Sequence, residues 1–290
     1  MAVTGDTQLG PTKQEIIAEI AQRALISSSS VLASARDVSM FAVKGSNQIS
    51  FPKNTTLFSA ENRASATEAT IQDVDFSKDT LDLDQRMIIA WAVDSDDEIE
   101  SRLDVQRELI ERASREHGRD VDAKLIAEME ASAITTTTAG GLTQALVLEM
   151  RRVLLRNKAN PSNLWLSVAP ENEEELLQIN PFTAADQYGS AVIPKGVLGT
   201  IYGVNIVMTP ELSNNQFFMY ESDGIGIGFQ RRPQFDEVPS PLLGPGAKTQ
   251  VLGQKYGVQA LQLGVPGGFK ADGTTALGAT ESALIVKDNN

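Results

Sequence analysis

The segment from Phe41 to Arg86 carries few apolar residues for its length, and this limits how the chain can fold. Between residues 57 and 70, the only apolar side chains larger than alanine are Leu57 and Phe58. Alternation of polar and apolar residues on both sides of this stretch predicts two long strands joined by a polar tip around residues 60–69. A two-stranded ribbon is at best marginally stable alone in water. We therefore expect a protein whose fold is completed by its neighbours.

A continuous apolar strand and a long charged helix follow this ribbon. Met87–Val93 has the composition of a strand that is buried on both faces. From Asp104 to Ser132, apolar residues recur along one stripe, and charged pairs such as Glu108 and Arg112 occupy the other faces. Roughly 29 residues at about 1.5 Å each would form a helix of about 43 Å, with Gly118 as a weak point near its middle.

The N-terminal region contains a shorter amphipathic helix. Thr12 and Glu15 have the spacing of a capping box, and Ile17, Ile20 and Leu25 then share one helical face. Two interpretations stay open. The helix is either an arm that packs its apolar face on another surface, or an ordinary helix on the core of its own domain.

Beyond a Thr- and Gly-rich joint at residues 135–141, the pattern predicts a unit that mixes helices with short strands. The predicted helices are Thr143–Arg156 and Pro170–Ile179. The predicted strands are Leu164–Val168, a pair within Gly199–Met208, Phe217–Tyr220, Ile225–Phe229, Thr249–Leu263 and Ala283–Lys287.

Composition excludes several classes of protein. The chain has 38 acidic and 25 basic residues and a net charge of −13, whereas nucleic-acid-binding domains need an excess of Lys and Arg for phosphate contacts. The acidic balance fits either a solvated surface or a wall that encloses nucleic acid without binding it. No apolar stretch is long enough to span a membrane. The chain has no cysteine, which excludes disulfides and thiolate sites and favours assembly in the cytosol.

The residues that usually carry catalysis or metal binding are sparse. His117 is the single histidine, and its charged neighbours predict a solvated helix position. Asp94, Asp96 and Glu98 begin like a calcium loop, but the sixth and twelfth positions are Ile99 and Val105 where Gly and Glu are needed. We therefore expect no catalytic residue, no metal ion and no cofactor, and we do not expect an enzyme.

Three further motifs have structural interpretations. The glutamates around Glu173–Glu175 follow Pro170 at a predicted helix start, where the helix dipole favours them. Gly224–Gly228 alternates Gly with Ile, which is typical of a closely packed strand and not of a dinucleotide loop. The doublet Arg231–Arg232 predicts ion pairs at an interface, because the planar guanidinium binds carboxylates in a bidentate way.

In the order of these parts, the chain resembles the major capsid proteins of tailed bacteriophages with the Hong Kong 97-type fold. That resemblance implies an α+β fold with an N-terminal arm, an extended β-hairpin loop, a peripheral domain with a long spine helix, and an axial domain with a central mixed sheet. The implied boundaries are 1–43 for the arm, 44–86 for the extended loop, 87–140 and 245–265 for the peripheral domain, with spine helix 104–132, 141–244 for the axial domain, and 266–290 for a C-terminal tail.

The resemblance also implies a function and partners. Subunits would assemble through hexamers and pentamers into an icosahedral shell around double-stranded DNA, without sequence-specific binding and without a membrane. Assembly would take place in the cytoplasm of the bacterial host, with a scaffolding protein and a portal as partners. The product would be the virion capsid. The residues expected at contacts between subunits are Phe51, Leu57, Phe58, Arg63, Arg231 and Arg232.

Three other interpretations remain open. An encapsulin-like bacterial nanocompartment has the same fold but encloses a protein cargo, so the contents of the particle discriminate. An acidic intracellular enzyme would be a discrete monomer or dimer. A phage tail or decoration component would be expected to lack the long helix between two sheet regions.

Overall fold

The computed structural model describes residues 17–25, 30–42, 45–54, 71, 76–93, 103–136, 141–179, 197–240, 248–261, 268–277 and 282–288. The helices in this part of the chain are α1 (17–25), α2 (Leu103–Glu130), α3 (Gln144–Arg156) and α4 (Glu173–Gln178). The first six strands are β1 (Arg36–Asp37), β2 (Gln48–Asn54), β3 (Phe76–Asp82), β4 (Gln85–Val93), β5 (Ile134–Thr136) and β6 (Leu164–Val168). The other six are β7 (Val197–Ile201), β8 (Val204–Met208), β9 (Phe218–Glu221), β10 (Ile225–Pro239), β11 (Lys248–Ala260) and β12 (Ile285–Asp288).

The larger sheet is mixed, as predicted for the axial domain, and has the strand order β5-β12-β9-β6-β8-β7. β6 runs parallel to β8, and β12 runs parallel to β5, while the other neighbours are antiparallel. Apolar residues of α3 pack on one face of this sheet, with Met150 and Val153 fully buried. The other face holds Phe218 and Tyr220 against α2. Two strands that the sequence assigned to the peripheral domain and the tail, β5 and β12, lie in this sheet.

The smaller sheet has the order β1-β10-β11-β4 and carries the long helix on one face. α2 packs Val121, Leu125 and Met129 against the start of β10 and the end of β11. Near the opposite end of the helix, Ile110 and Ala113 meet Phe235 and other residues of the sheet. The predicted helix at 104–132 is confirmed within two residues at each end, and the predicted Glu108–Arg112 ion pair is present at 2.6 Å.

The N-terminal helix α1 packs on the core of the same chain. Ile17 and Ala21 are buried in the cluster that also contains Ile110, Phe235 and Leu252. Of the two interpretations left open by the sequence, the described residues therefore show the ordinary helix on its own core. Thr12 and Glu15 lie outside the described residues.

The strand at Met87–Val93 is present, but the prediction that it is buried on both faces was wrong. β4 is an edge strand whose residues alternate between half-buried and exposed, and Ile88 is 50% exposed. Ile89 and Trp91 face the core, whereas Ile88, Ala90 and Ala92 face outward. A continuous apolar run is therefore no proof of burial within one subunit.

β10 is much longer than the predicted strand Ile225–Phe229. Its register with β11 shifts between Phe229 and Gln234, which marks a bulged region that contains Pro233. Bulges are where a strand tolerates proline, which cannot donate to the ladder. The predicted strand ended at Phe229, before this region, so the second half of β10 was missed.

Glycines in β10 and β11 allow close packing, as the Gly-Ile alternation predicts. A Cβ atom at Gly226 would lie 2.6 Å from Leu261 Cδ1, and one at Gly228 would lie 2.5 Å from Ile49 Cδ1. A Cβ at Gly257 would collide with the backbone carbonyl of Asp82. Gly257 therefore excludes any side chain, whereas a side chain at Gly226 or Gly228 would require Leu261 or Ile49 to move.

Candidate assembly surface

The β2–β3 hairpin is the first candidate for a contact with another subunit. The two strands pair without a register shift from Gln48 opposite Asp82 to Asn54 opposite Phe76. This confirms the two predicted strands, while the predicted tip at residues 60–69 lies outside the described residues. The ribbon has only two strands, so its stability depends on what holds its base.

The base of the hairpin is fixed to the smaller sheet of the same chain. Ile49, Leu81 and Leu83 are fully or almost fully buried in one cluster with Val38 and Leu261. The backbone of Leu83 donates to Asn47 over 2.7 Å, and Lys255 Nζ donates to Asn47 Oδ1 over 2.7 Å. Apolar packing and hydrogen bonds therefore fix the base of the hairpin to its own subunit.

Residues before the hairpin are fixed by buried polar contacts. The Tyr220 hydroxyl lies 2.6 Å from Ser34 Oγ and 3.1 Å from Ser167 Oγ, and burial raises the pKa of Tyr220 to about 12. The backbone N–H of Ser30 donates to the buried carboxylate of Asp122 over 2.9 Å. Residues 30–34 are thus tied to both the larger sheet and the long helix.

A broad groove lies next to the hairpin base, on the face of the smaller sheet opposite α2. Leu252, Gln254 and Tyr256 of β11 are buried on the side of α2, so Gly253 and Lys255, which alternate with them, point to this outer face. The cavity has a volume of about 760 Å³, and we call it the outer groove. Its lining includes Arg86, Ile88, Arg231, Asp236, Val251 and Lys255.

The rim of the outer groove combines exposed apolar side chains with positive charge. Ile88 of β4 is 50% exposed. Val238 of β10, on the same outer face of the sheet, is 52% exposed. Three basic side chains and one acidic side chain are among the lining residues, which gives a local net charge of +2 in a chain of net charge −13. An apolar surface with a charged rim is typical of an interaction site.

Other exposed apolar side chains lie close in sequence to this region. Met40 and Phe41 are 83% and 46% exposed and precede Ala42, which lines the groove. Ile71 in the hairpin segment is 91% exposed. Sequence reasoning did not propose any of these three residues as contacts, although Met40 and Phe41 are two adjacent large apolar residues.

The structure separates the residues that the sequence proposed as contacts between subunits. Phe51 lies in β2 opposite Asp79, while Leu57, Phe58 and Arg63 lie outside the described residues. Arg231 lines the outer groove and forms an ion pair with Asp236 at 3.0 Å.

Arg232 lies at a second, smaller cavity, together with Leu25 and Leu32. Its guanidinium contacts Asp37 at 3.2 Å and lies 5.9 Å from the centre of the Phe229 ring. The interface ion pairs predicted for the arginine doublet are therefore within the chain in the isolated subunit.

The prediction of a solvated His117 was wrong, because the side chain is fully buried. Its charged neighbours Arg115, Glu116 and Arg119 lie on other faces of α2, while Ile110, Ser114 and Val121 share the buried face with it. The charged residues near His117 in sequence therefore led to the wrong prediction of its exposure. Helical spacing from Ile110 and Val121 is the signal that could have placed it.

Carboxylates in the described part of the chain have structural roles. Glu175 accepts the backbone N–H of Leu142 over 2.7 Å and the Nδ2–H of Asn172 over 3.2 Å, so it fixes the turn before α3. Within the described ranges, no group of three or more His, Asp or Glu side chains is arranged to hold a metal ion. Asp94, Asp96 and Glu98 lie outside those ranges. No helix of the described residues is long and apolar enough to cross a membrane.

Comparisons with known proteins agree with this architecture. No curated protein sequence matches the chain. The profile of the phage capsid protein family matches residues 35–239, which is well over half of the chain.

Solved structures with the same fold include phage capsids. The capsid protein of cyanophage P-SCSP1u has 12% identity and a TM-score of 0.62, with 88% of this chain and 86% of that chain covered. The mature capsid of bacteriophage PhiM1 has 16% identity and a TM-score of 0.58, with coverage of 90% and 87%. A virus-like particle from Pyrococcus furiosus has 11% identity and a TM-score of 0.59, with coverage of 96% and 99%.

The family match rests on sequence, while the likeness to these structures shows the fold. Both agree with the element order from hairpin to long helix to mixed sheet. The chain belongs to the phage capsid protein family and has the Hong Kong 97-type fold.

Proposed function

We propose that this capsid protein is the major coat protein of a tailed double-stranded DNA phage and assembles through hexamers and pentamers into an icosahedral shell. It acts as a structural component of the virion and not as an enzyme. Assembly takes place in the cytoplasm of the bacterial host, with a scaffolding protein and a portal as partners. The family match and the fold support this role.

The proposal rests chiefly on exposed apolar side chains and opposite net charges at two sites of one subunit. Ile71 of the hairpin segment is 91% exposed, and Ile88 in the outer groove is half exposed. Residues 55–75 carry four acidic residues and one basic residue, a net charge of −3, opposite in sign to the +2 of the groove lining. The hairpin segment of one subunit lies in the outer groove of its neighbour.

Such a contact is heterologous, because two different surfaces of the same chain meet. Heterologous contacts close into rings when the rotation between subunits permits, and rings then tile a shell. Interfaces of this kind bury roughly 2,000 Å² or more. That burial supplies the apolar contacts that a polar two-stranded ribbon lacks.

The contact residues proposed from the sequence fall on the two sides of this interface. Phe51, Leu57, Phe58 and Arg63 belong to the hairpin side, and Arg231 belongs to the groove side. Arg231 already contacts Asp236, so a neighbour's carboxylate would join or replace an existing pair. Arg232 would act outside the groove, where it contacts Asp37 and the Phe229 ring.

The electrostatics fit enclosure of DNA without sequence-specific binding. The net charge of −13 opposes tight binding to phosphates, and the basic doublet is neutralised within the chain. The shell would therefore confine DNA without recognising its sequence.

The test is a deletion of residues 57–70, bridged by a short Gly-Ser linker. We expect a folded subunit whose unfolding midpoint matches that of the wild type, because the anchoring cluster at Ile49, Leu81 and Leu83 is untouched. We expect no closed particles by size-exclusion chromatography and negative-stain electron microscopy. Particles of normal size from the deletion variant would contradict the role of the hairpin.

A matched control keeps the length and removes the side chains. In this variant, a Gly-Ser stretch of equal length replaces residues 57–70. If the apolar and charged side chains make the contact, this variant also fails to form particles. If it assembles normally, the hairpin acts only as a spacer, and the proposed contact residues are wrong.

A second candidate is a shell that encloses protein cargo, as encapsulin-like nanocompartments do. The virus-like particle from Pyrococcus furiosus, which is matched over 99% of its chain, has the same fold as the phage capsids, so the contents of the particle decide between the two candidates. Nuclease-protected DNA inside purified particles would support the phage capsid, whereas a co-purified protein in fixed ratio would support the nanocompartment.

A further inference from the structure

His117 is buried in the subunit, and its ring makes no well-formed hydrogen bond. The side chain has no solvent exposure, and among the described residues neither Nδ1 nor Nε2 has a partner in good hydrogen-bond geometry, while Gln254 lies close enough to accept from a protonated ring. The Oε1 atom of Gln254 is also buried and without a partner. The amide of Gln254 donates weakly, over 3.5 Å, to the backbone carbonyl of His117, so the two residues are in contact.

The histidine lies at the contact between α2 and β11, at a weak point of the helix. Gly118 follows it and is also buried. Glycine lowers helix stability by about 1 kcal/mol relative to alanine, and sharp bends in helices occur at glycine and a few other features. A change at His117 would therefore act where α2 bends most easily.

Few charges are available to compensate a proton on this ring. Asp120 on α2 is the charged group that acts on it, and its carboxylate already accepts from the Tyr256 hydroxyl of β11. β4 places Met87 beside Gln254. At this level of β10, Arg231 and Arg232 are exposed and paired with Asp236 and Asp37.

We propose that His117 is a proton-sensitive contact that holds the long helix on the smaller sheet only while its ring is neutral. A protonated ring has two N–H donors and a positive charge in a buried site. The helix then bends at Gly118 and moves the ring toward water. Because Gly253 and Lys255 line the outer groove on the opposite face of β11, this movement also disturbs the proposed assembly surface.

The direction of the pH dependence follows from the burial. Burial lowers the pKa of His117, and Asp120 and Gln254 offset this only in part. The unfolded chain therefore takes up the proton first, at about pH 6.5. Stability is complete above that pH and falls as the pH decreases, until the folded ring is protonated too. Each pH unit in this window favours opening by about tenfold.

The direct measurement uses the fact that the chain has one histidine. Protein with a histidine-free tag is labelled with ¹³C,¹⁵N-histidine, and the ring signals are recorded between pH 7.5 and 4.5 by magic-angle-spinning NMR on sedimented protein, in whatever folded oligomer it forms. Because burial lowers the pKa of His117, we expect a ring that is still mainly neutral at pH 6.5, where a solvated histidine is half protonated. A ring that is half protonated at pH 6.5 or above would overturn the proposal.

Hydrogen exchange of the peptide spanning residues 110–125 tests the consequence. The variants His117→Gln and His117→Leu cannot take up a proton, so each is compared with the wild type at the same pH. Between pH 7.5 and 5.5, we expect local opening to increase about tenfold more in the wild type than in either variant. Equal increases in all three proteins would refute the switch.

Two further variants separate a proton effect from a packing effect. Asp120→Asn removes the charge that favours the protonated ring, so the NMR titration of His117 should move to lower pH. Glu116→Gln, at the exposed position next to the histidine, should leave that titration unchanged. The NMR and exchange measurements work on any folded oligomer, so they succeed or fail independently of shell assembly.

Discussion

The two sheets of this subunit differ in how many of their faces are covered. In the larger sheet, α3 covers one face and α2 the other, and every residue of β9 is buried. In the smaller sheet, α2 and α1 cover one face, while Ile88 and Val238 on the opposite face are about half exposed. Both sheets contain strongly apolar strands.

This difference separates two sources of stability in a capsid protein. The larger sheet completes its core within the subunit, so its apolar residues stabilise the monomer. In the proposed assembly, a second chain covers the outer face of the smaller sheet and supplies the contacts that are missing there. An apolar residue therefore has different consequences in the two sheets, even when the local sequences look alike.

The largest loss of subunit stability is expected in the larger sheet. Leu166 in β6 is fully buried, so Leu166→Ala should lower the free energy of unfolding by about 2–5 kcal/mol. Urea unfolding of unassembled subunits measures this value. Leu148→Ala, at a 41% exposed position on α3, is the control and should change stability by less than about 1 kcal/mol. Equal losses would contradict the burial difference.

A smaller loss is expected where the hairpin meets the smaller sheet. At Gly257, an added Cβ would collide with the carbonyl of Asp82, so Gly257→Ala should cost about 1–3 kcal/mol. Gly253→Ala is a matched control on the same strand, because its Cβ would lie 3.8 Å from the nearest atom, Met87 O. Gly253→Ala should be neutral or stabilising by about 0.5–1 kcal/mol. Thermal unfolding of both variants compares the two sites.

The smallest effect on the subunit is expected in the outer groove. Ile88 is half exposed, so Ile88→Ser should change the free energy of unfolding of the isolated subunit by about 0.5 kcal/mol or less. In the proposed assembly, each contact should lose about 1–2 kcal/mol, because the side chain is buried only there. The yield of particles at fixed protein concentration, measured by light scattering, should fall several-fold.

The control for the groove is an exposed apolar residue on another surface. Leu109 on α2 is 37% exposed, and Leu109→Ser removes a similar apolar area. If Leu109→Ser and Ile88→Ser reduce particle yield equally, the outer groove has no special role. If only Ile88→Ser does so, the comparison of the two sheets is confirmed.

Local patterns predicted much of the fold. The period of the apolar residues located α2 within two residues at each end and located β6 without error. Thr143 was predicted as the first residue of the helix; in the structure it is the N-cap of α3 and accepts from the N–H of Leu146. These features depend on residues close in sequence, so the sequence specifies them directly.

Features that depend on distant residues could not be predicted in this way. The second half of β10 exists because β11 pairs with it across a bulge that contains Pro233. The buried position of His117 depends on the face that α2 presents to β11, which its charged neighbours in sequence concealed. The outer groove requires Ile88, Arg231 and Val251 to meet from three strands, and no local pattern brings them together.

The sequence by itself determined the class of this protein: a sparse hairpin, an apolar strand and a long charged helix, in the order of a phage capsid subunit. Only the tertiary structure decided which apolar residues are covered within the subunit and which are left for a neighbour. The physical reason is that periodicity reports the shape of each element, whereas burial depends on what packs against it. The same run of apolar residues in β4 therefore supports a core on one face and leaves Ile88 half exposed on the other, where we propose the assembly surface.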